Sequence, residues 1–552
     1  MSATVRGWRD WAASKGAGPL LTVLVAIAFG ASVAGPPFWD DVKLIAAADS
    51  LTRLSDAFRA QSFGLRDVAH AQGASFWRPL VTASLWSEGR VAAALGADAN
   101  AVRHLAQCLW HAVGAWLVWR LLRRLAPSDP PLSWWNTAAW WAALAWAVVP
   151  LKVENVTWLS GLGDVMGWTL LLLGAELALR FRHRAWRALI AASATGLALL
   201  CKEVWIVAPL LWTLLARERG QTSKRFRQPE LWGSLASAGL YAVLRVTLIG
   251  VARGGGDPMF AALGPLERLS VPFETFGHAV LALVTPWSPR LLRGPWAFDG
   301  TGQLVPEGLV GGVGLVTLLV ACVVLLKAER FRAPLLLVIV PLLPVLNLIP
   351  TGLEARMSDR YLYVPFLGVL LGLLLVVPAS PPAWLATIAA RWRLLAFPVA
   401  LLLLLALELR IRQFTHPVLL WAAESERPDA AASIVVHYAH ALEHAGRLRP
   451  ARNAALLAAE RYSELGFAEG LPLVITAVRL ETLAAGETAA ATRAYAKALR
   501  CIRAGNPEFV GVPFADGGGV RIPCQTLEAE LMRANQSALL DRELDRLQRR
   551  TP

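Results

Sequence analysis

The sequence predicts an all-α, polytopic membrane protein with about eleven transmembrane helices, followed by an external helical-repeat domain. Hydrophobic residues make up 56% of the 552-residue chain and charged residues only 17%, less charge than soluble proteins carry. The apolar residues come in long blocks instead of at amphipathic spacing. Tryptophans adjoin many block ends, as in interfacial aromatic belts; they are Trp39, Trp77, Trp110, Trp134, Trp135, Trp158, Trp287 and Trp296.

The basic charge of the chain fits membrane topology better than nucleic-acid binding. The formal net charge is +14, but Lys and Arg are concentrated in short loops between apolar blocks. Basic residues in such loops orient helices in a membrane. We therefore predict membrane lipid as a partner and no nucleic acid.

The transmembrane domain is predicted to span residues 1–412. Its first apolar block could be read as a signal peptide, because Ser32-Val33-Ala34 follows it, but it also suits a retained first helix. A long polar stretch at about 38–102 forms the first external loop. The predicted spans are Leu20–Pro36 and, numbered approximately, 103–120, 134–150, 161–179, 186–200, 204–216, 231–250, 307–326, 334–350, 361–378 and 394–411.

The apolar run Phe276–Trp287 decides the topology. It has about a dozen residues, and a span needs about 20. If it crossed the membrane, the basic loop at 327–332 would lie outside. The Arg-rich loops 120–133, 180–187 and 217–230 would all lie inside. The positive-inside rule therefore favours a re-entrant or surface helix, with the C-terminus external.

The composition changes at about residue 413, where a second domain, 413–552, is predicted to begin. Gly446, Gly466 and Gly486 mark turns between Ala-rich amphipathic segments. A tetratricopeptide-like repeat array and an ordinary helical bundle fit this pattern equally well. The segments are Ile434–Ala445, Pro450–Leu465, Leu471–Ala485 and Thr488–Ala504.

Two cysteines share the polar end of the chain. Cys501 and Cys524 bracket a Gly/Pro-rich loop, 506–523. An external location permits a disulfide, and we predict that the two cysteines pair.

Familiar catalytic motifs are missing from the sequence. The nine His are scattered, no Cys-x-x-Cys occurs, and Gly254-Gly255-Gly256 is not followed by Lys-Ser/Thr. We predict no metal and no cofactor. What remains is the pair Asp40 and Asp41 in Phe38-Trp39-Asp40-Asp41, just past the first span. Like-charge repulsion can raise one pKa and leave the other carboxylate ionised, as a general base must be.

Several cations share the predicted external face with these carboxylates. Arg offers a fork of donors and Lys a point charge, and both suit a phosphate. The candidate phosphate ligands are Arg78, Lys152, Lys202, Arg356 and Arg360.

The two histidines of one helical face, His104 and His111, are interpreted as packing or hydrogen-bonding residues.

Each of these residues also has an ordinary structural interpretation. Lys202 and Glu203 could form an interfacial ion pair, and Lys152 could extend to the lipid headgroups. Asp164 could simply cap the fourth transmembrane helix.

Seven motifs follow one another along the chain, and their order is more specific than any one of them. The order resembles the membrane O-mannosyltransferases that carry tetratricopeptide repeats, over about residues 20–465; these belong to the GT-C glycosyltransferases, as do protein O-mannosyltransferases. The motifs are Phe38-Trp39-Asp40-Asp41, Phe76-Trp77-Arg78-Pro79-Leu80, His104 through His111, Val149-Pro150-Leu151-Lys152-Val153-Glu154, Thr157-Trp158-Leu159-Ser160-Gly161 with Asp164, Cys201-Lys202-Glu203, and Asp359-Arg360-Tyr361-Leu362-Tyr363-Val364-Pro365.

The resemblance implies inverting transfer of a hexose such as mannose from a polyprenyl-phosphate donor to an acceptor hydroxyl, on protein, at the external face. It maps the catalytic base onto Asp40, with Asp41 beside it and the choice between them open. It maps substrate-binding positions onto Arg78, Glu154 and Arg360. The remaining predicted substrate-binding residues are Lys152, Asp164, Lys202, Glu203, Arg356 and Tyr361.

The chain departs from the family at three positions. Val149 and Lys152 stand near a proline where the family usually has His, and Gly163 stands where the family often has Ala. The sugar and the acceptor therefore stay open.

Two alternatives to protein glycosylation remain from the sequence. One is the same donor chemistry on a lipid or polysaccharide acceptor, and the other is a non-catalytic membrane-anchored scaffold. A transporter is disfavoured, because the charges gather at one membrane face and not at the midplane. The Ala- and Arg-rich composition suggests a bacterial inner membrane, with the repeats outside to bind the acceptor.

Overall fold

The chain folds into two compact units, and both are mostly helical in the described ranges, as the all-α prediction requires. One unit comprises Met1–Arg293 and Glu307–His416, and the other Gly294–Pro306 and Pro417–Pro552. The computed structural model describes residues 16–58, 76–127, 132–216, 228–249, 264–295, 304–348, 355–376, 383–427, 430–464, 480, 509–513 and 519–523.

The first unit contains most of the helices. They are α1 (Ala17–Ala28), α2 (Asp40–Asp49), α3 (Pro79–Leu95), α4 (Ala99–Arg124), α5 (Leu132–Val148), α6 (Val153–Thr157), α7 (Leu162–Ala178), α8 (Arg184–Cys201), α9 (Ala208–Leu215), α10 (Pro229–Ile249), α11 (Pro265–Val284), α12 (Leu304–Lys327), α13 (Arg332–Leu342), α14 (Pro365–Val376) and α15 (Ala383–Thr415). Strand β2 (Ala355–Met357) also belongs to this unit, and strand β1 (Arg293–Pro295) begins at Arg293, the last residue of its first segment.

Short 3₁₀ turns interrupt these helices, and four of them carry predicted site residues or their partners. A 3₁₀ turn is a tight helical connector that redirects the chain. Those four are Pro150–Lys152, Leu159–Gly161, Glu203–Val207 and Asp359–Leu362. The others are Gly30–Ala34, Leu54–Phe58, Glu329–Phe331 and Leu343–Val345.

The first loop is more regular than its weak sequence pattern suggests. Helix α3 has Pro79 in its first turn, where the missing N–H costs nothing, and ends at Gly96 with a left-handed φ of 63°. The Asp98 side chain then accepts a hydrogen bond from the Ala101 N–H (2.8 Å) and caps α4. These local signals position both α3 and α4.

Some tryptophans assigned to the membrane interface are core residues instead. Trp135 and Trp158 are buried. The Trp135 indole N–H donates to the Leu122 carbonyl (2.8 Å), so its polar edge is satisfied inside the protein. An interfacial tryptophan and a core tryptophan look alike in sequence, because both adjoin apolar blocks.

Several helices present apolar side chains to their surroundings. Contiguous exposed apolar surface of this extent is unusual for a protein in water and indicates an apolar environment or a partner. The side chains include Trp232, Leu240 and Val243 on α10, Leu309, Val316, Leu319, Val320, Val323 and Leu326 on α12, and Leu401, Leu402, Leu404 and Leu405 on α15.

Two helices in the described ranges are long and apolar enough to cross a membrane. They are Leu159–Ala178, which is mostly buried within the protein, and Leu309–Lys327, which is mostly exposed. Shorter apolar helices are Ala17–Ala28, Glu203–Leu215 and Pro365–Val376. The prediction of about eleven spans stays a prediction.

The ambiguous run 276–287 lies largely in the second half of α11, a helix of 20 residues that includes Pro272. Helix α11 meets α12 backbone to backbone. A Cβ added to Gly277 would collide with the Val310 carbonyl oxygen, and one added to Gly314 would collide with the Phe273 carbonyl oxygen. Glycines therefore permit this close helix–helix contact.

The second unit contains α16 (Pro417–Ser425), α17 (Ala432–His444) and α18 (Leu448–Glu464). The first two predicted amphipathic segments are therefore helical. Val435, Ala439 and Leu442 of α17 belong to one apolar cluster with the small residues of α18. Gly446 turns the chain between them with a left-handed φ of 72°.

The end of the chain differs from the predicted loop. Strands β3 (Phe509–Pro513) and β4 (Gly519–Pro523) pair antiparallel within the region predicted as Gly/Pro-rich loop. The segments Leu471–Ala485 and Thr488–Ala504, apart from Leu480, lie outside the described residues, as do Cys501 and Cys524. The choice between repeat array and bundle therefore stays open, and so does the disulfide.

We predict that Gly314→Ala weakens the contact between α11 and α12, whereas Gly312→Ala, which meets no atom within 4 Å, does not. Forcing a methyl group against the Phe273 carbonyl should cost about 1–3 kcal/mol. Thermal unfolding of the detergent-purified protein measures the difference. Equal melting temperatures for the two variants would contradict the close contact.

Candidate functional site

Helix α2 begins at the two adjacent carboxylates. Asp41 is fully buried, and Ser160 donates hydrogen bonds to its Oδ1 from the backbone N–H (2.9 Å) and from Oγ (3.1 Å). The Leu159 N–H donates to Asp41 Oδ2 over 3.4 Å. Asp40 is only partly buried. The two residues therefore differ in access: Asp41 holds the turn at 159–161, and Asp40 can meet a ligand.

Burial raises the pKa of both carboxyl groups. The pKa of Asp41 rises to about 7, because lost hydration outweighs the hydrogen bonds that it accepts, and the charge of Asp40 adds to the rise. Burial also raises the pKa of Asp40, while the positive charges of Arg360, Lys43 and Arg78 oppose that rise. A carboxylate with a raised pKa is a stronger base, which suits proton abstraction near neutral pH.

Arg78 lies at the N-terminus of α3 and binds Glu203 with a fork of two hydrogen bonds. Its Nε donates to Oε2 (3.1 Å) and its Nη2 to Oε1 (2.7 Å). The guanidinium also lies over the Phe76 ring, 4.7 Å from the centroid. This bidentate ion pair joins the first loop to the turn that follows α8.

Lys202 pairs with Asp164, and Glu203 pairs with Arg78, so the alternative of an ion pair between Lys202 and Glu203 does not hold. The Lys202 Nζ donates to both Asp164 oxygens, at 2.8 and 2.7 Å. Asn155 Nδ2 donates a further hydrogen bond to Asp164 Oδ2 (3.2 Å). The Lys202 ammonium lies 5.7 Å from the centroid of the Tyr361 ring. Asp164 is thus the centre of a buried polar network, so its role is larger than capping the N-terminus of α7.

Arg360 is paired with a carboxylate more loosely than Arg78 or Lys202 is. Its nearest carboxylate contact is Nη1 to Glu154 Oε1, at 3.6 Å. Its Nε is buried and has no hydrogen-bond partner among the described residues, and Nη2 reaches the Tyr361 hydroxyl only at 3.4 Å. The guanidinium lies 5.0 Å from the centroid of the Trp158 ring. Arg360 therefore has donor capacity left for an anionic ligand.

A cavity that opens to solvent adjoins this network, and its empty space, counted together with that open solvent, is about 370 Å³. Its polar lining is Asp164, Arg360 and Tyr361. The rest of its wall is largely apolar and consists of Val204, Trp205, Val207, Pro341, Val345, Tyr363 and Val364. A ligand with one anionic group and an apolar tail would find partners for both.

Lys152 does not face this cavity, which corrects its predicted contact with a phosphate. It is fully buried, and its Nζ donates to the carbonyls of Leu362 (3.2 Å) and Tyr363 (2.8 Å). Three rings surround the ammonium at 5.2–5.3 Å, those of Trp146, Tyr363 and Phe366. The Lys152 ammonium is held inside the protein, so its position supports neither an extension to the headgroups nor a contact with a phosphate. It holds the segment that carries Arg360.

Arg356 also lies apart from the cluster. It is buried, and its Nε donates to Glu274 Oε2 of α11 (2.6 Å). Asp359 is held similarly by Arg293, whose Nε and Nη2 donate to it at 2.5 and 2.7 Å. Both ion pairs fix the chain before Arg360, so the predicted role of Arg356 in phosphate binding is not supported by its position.

Three further residues shape the site, although they are not among the predicted site residues. Ser160 holds Asp41, Asn155 holds Asp164, and Trp158 lies under Arg360. Asn155 Nδ2 also donates to the Arg360 carbonyl (3.0 Å). A polar Asn and Ser within an apolar stretch were the available signal, since buried polar groups need partners.

The histidine interpretation is confirmed for His111. It is buried on α4, with Nδ1 2.7 Å from the Tyr363 hydroxyl and Nε2 3.0 Å from the Ala147 carbonyl. His104 is buried on the same helix. Among the described residues, no three His, Cys, Asp or Glu side chains converge as metal ligands do.

Comparisons with protein families, with curated proteins and with solved structures gave no match for this chain.

We predict that the Asp41 carboxyl makes stability depend on pH. Its pKa is about 7 in the folded protein and 3.8 as the reference, so the folded state binds the proton more tightly. The resulting stabilisation is complete below pH 4 and is lost as pH rises through 7, by on the order of 4 kcal/mol. Asp41→Asn should therefore gain stability relative to wild type between pH 4 and 8. Unfolding curves at several pH values measure this, and parallel curves for the two proteins would refute it.

We also predict that Lys202→Met destabilises the protein by about 3–5 kcal/mol, because Asp164 is left as a buried charge without its cation. The double variant Lys202→Met/Asp164→Leu should recover much of this loss.

The control is Arg412→Met, which breaks the exposed pair with Glu408 and should cost less than about 1 kcal/mol. Melting temperatures of the detergent-purified variants give the comparison. A double variant as unstable as Lys202→Met would mean that the pair is not an energetic unit.

Proposed function

We propose that the protein is a polytopic membrane glycosyltransferase of the GT-C type, which transfers a sugar from a polyprenyl-phosphate donor to an acceptor hydroxyl. The observation that supports this most is the pairing of an accessible carboxylate with an under-neutralised cation. Asp40 is close enough to Arg360 for that charge to lower its pKa, and Arg360 lines the cavity. Base and anion site thus lie together at one set of helix ends.

The membrane part of the proposal is supported by the apolar surface of the first unit. Helix α12 exposes apolar side chains between Leu309 and Leu326, as lipid-facing helices do. The positive-inside rule would put the Arg-rich loops in the cytoplasm. Asp40 and Arg360 would then face the outside with the C-terminal unit, in the periplasm if the chain is bacterial.

The cavity supports a lipid-linked donor. Its apolar wall of Val, Pro and Trp side chains suits a prenyl chain, and Arg360 and Tyr361 at its polar part suit a phosphate. No cofactor is needed, since the phosphate ester of the donor is itself the leaving group.

In the proposed reaction, Asp40 removes the proton from the acceptor hydroxyl. The resulting oxygen attacks the anomeric carbon as the bond from that carbon to the phosphate oxygen breaks, so the configuration inverts. The polyprenyl phosphate leaves with the bonding electrons, and Arg360 stabilises its negative charge. Such electrostatic stabilisation is commonly the largest contribution to rate.

Arg78 and Lys202 contribute less directly in this proposal. Glu203 and Asp164 already neutralise them at 2.7–2.8 Å, so their charges are largely cancelled. A phosphate would have to displace a carboxylate to bind either cation. They position the network around Arg360.

The acceptor is proposed to be a protein, oriented by the helices of the second unit. Helices α17 and α18 form an antiparallel pair, the unit from which helical repeats are built. A lipid or polysaccharide acceptor remains an alternative, as does a non-catalytic scaffold.

We predict that Asp40→Asn abolishes sugar transfer, whereas Asp98→Asn does not. Both variants replace a carboxylate by an amide, but Asp98 only caps α4, and Asn caps as well as Asp. Loss of a general base should lower the rate by about 10²–10⁴-fold. The measurement is transfer from a radiolabelled polyprenyl-phosphate sugar in membranes.

Full activity of Asp40→Asn would reject the base assignment, and a wild-type protein without activity would favour the scaffold. Comparison of glycoproteins between deletion and wild-type cells separates the acceptors. Unchanged glycopeptides alongside altered lipid or polysaccharide would favour a non-protein acceptor.

A further inference from the structure

The residue before Asp40 has an unusual backbone conformation. Trp39 has φ 53° and ψ −123°, in the half of conformational space that L-residues avoid. A residue with a bulky side chain is strained in this conformation, and such strain persists only where surrounding contacts enforce it. Glycine would adopt the same φ without strain.

A stacked indole pair and a set of hydrogen bonds enforce this conformation. The rings of Trp39 and Trp158 stack with centroids 4.9 Å apart and planes 13° apart. The hydrogen bonds from Ser160 to Asp41 fix the chain on the other side of Asp40. Asp40 thus lies between two attachments to the same turn.

Trp158 also contacts the cation of the site. The Arg360 guanidinium lies 5.0 Å from the centroid of the Trp158 ring. Trp158 is itself held, because its carbonyl accepts a hydrogen bond from Gln107 Nε2 (2.8 Å) and its side chain is buried. One buried indole therefore contacts both Trp39, the residue before the candidate base, and Arg360, the candidate phosphate ligand.

We propose that Trp39 and Trp158 are positioning residues, whose stack sets the placement of Asp40 relative to Arg360. This inference rests on the proposed glycosyl transfer. It differs from simple core packing, since Trp39 is only partly buried and its strained backbone would favour another residue if packing were its whole purpose.

Substitution of Trp39 can separate positioning from stability. Trp39→Gly removes the stack and the strain together, Trp39→Ala removes the stack but keeps the strain, and Trp39→Phe keeps an aromatic ring for Trp158. Trp39→Gly should therefore melt about 1–2 °C above Trp39→Ala. Trp39→Phe should retain most of the transfer activity.

The pH profile gives a readout that packing alone would not move. The charged groups that act on Asp40 are Arg360, Lys43 and Arg78, with Asp41 next to it. Loss of the Trp39 indole hydrates Asp40, so its pKa should fall towards the ordinary value. The acidic limb of the kcat/KM profile should then move to lower pH in Trp39→Gly and stay in place in Trp39→Phe.

The experiment uses the full-length protein in detergent, with a polyprenyl-phosphate mannose as donor. For Trp39→Gly we expect kcat to fall about tenfold or more while KM for the donor changes less than about threefold, because a misplaced base affects the chemical step. Wild type and Asp40→Asn are measured beside it.

The outcomes separate the two hypotheses. If Asp40→Asn is inactive and Trp39→Gly matches wild type in kcat and pH profile, the positioning role is wrong and the proposed function stands. If Trp39→Gly loses activity only in proportion to its melting temperature, with an unmoved pH profile, Trp39 is a packing residue. If wild type transfers no sugar, or Asp40→Asn is fully active, the proposed function fails and the inference with it.

Discussion

Arg78, Lys202 and Arg360 each lie beside a carboxylate, and the rest of the candidate site depends on this pairing. An unpaired charge away from water costs several kcal/mol, so a buried ion must meet its partner. Lys202 follows α8 and Asp164 lies in α7, and their contact at 2.7 Å fixes the ends of both helices. The same requirement joins Arg78 to Glu203, across the first loop. Segments that are distant in sequence therefore lie together in the fold, because their buried charges must be paired.

Pairing also determines which groups remain available for chemistry. A cation bound tightly by a carboxylate attracts an anionic ligand only weakly, because its charge is largely cancelled. A cation in a loose pair keeps more of its charge and more free hydrogen-bond donors for a ligand. The Arg360–Glu154 contact is 3.6 Å, longer than the pairs around it. The carboxylates differ in the same way, since Asp41 is saturated with donors and Asp40 is not. Structural and chemical roles are therefore divided within one network.

The sequence predicted which residues meet better than it predicted their partners. Asp40, Arg78, Lys202 and Arg360 were selected as charges at the ends of apolar blocks, and the structure brings them around one network. Their contacts depend on direction: residues adjacent in a turn point apart, so Lys202 does not bind Glu203. Burial depth is equally invisible in a sequence, which is why Lys152 was expected at a phosphate and instead binds backbone carbonyls.

Backbone conformation is the feature that the sequence predicted least well. A tryptophan in the motif Phe38–Asp41 looks like an interfacial anchor, and nothing in the motif reveals a positive φ. The strain at Trp39 becomes intelligible only beside Trp158, which is 119 residues further along the chain. A relaxed residue at position 39 would let α2 start in several directions. The Trp39–Trp158 stack and the hydrogen bonds of Asp41 allow α2 to start in only one direction. That direction determines where the Asp40 side chain lies.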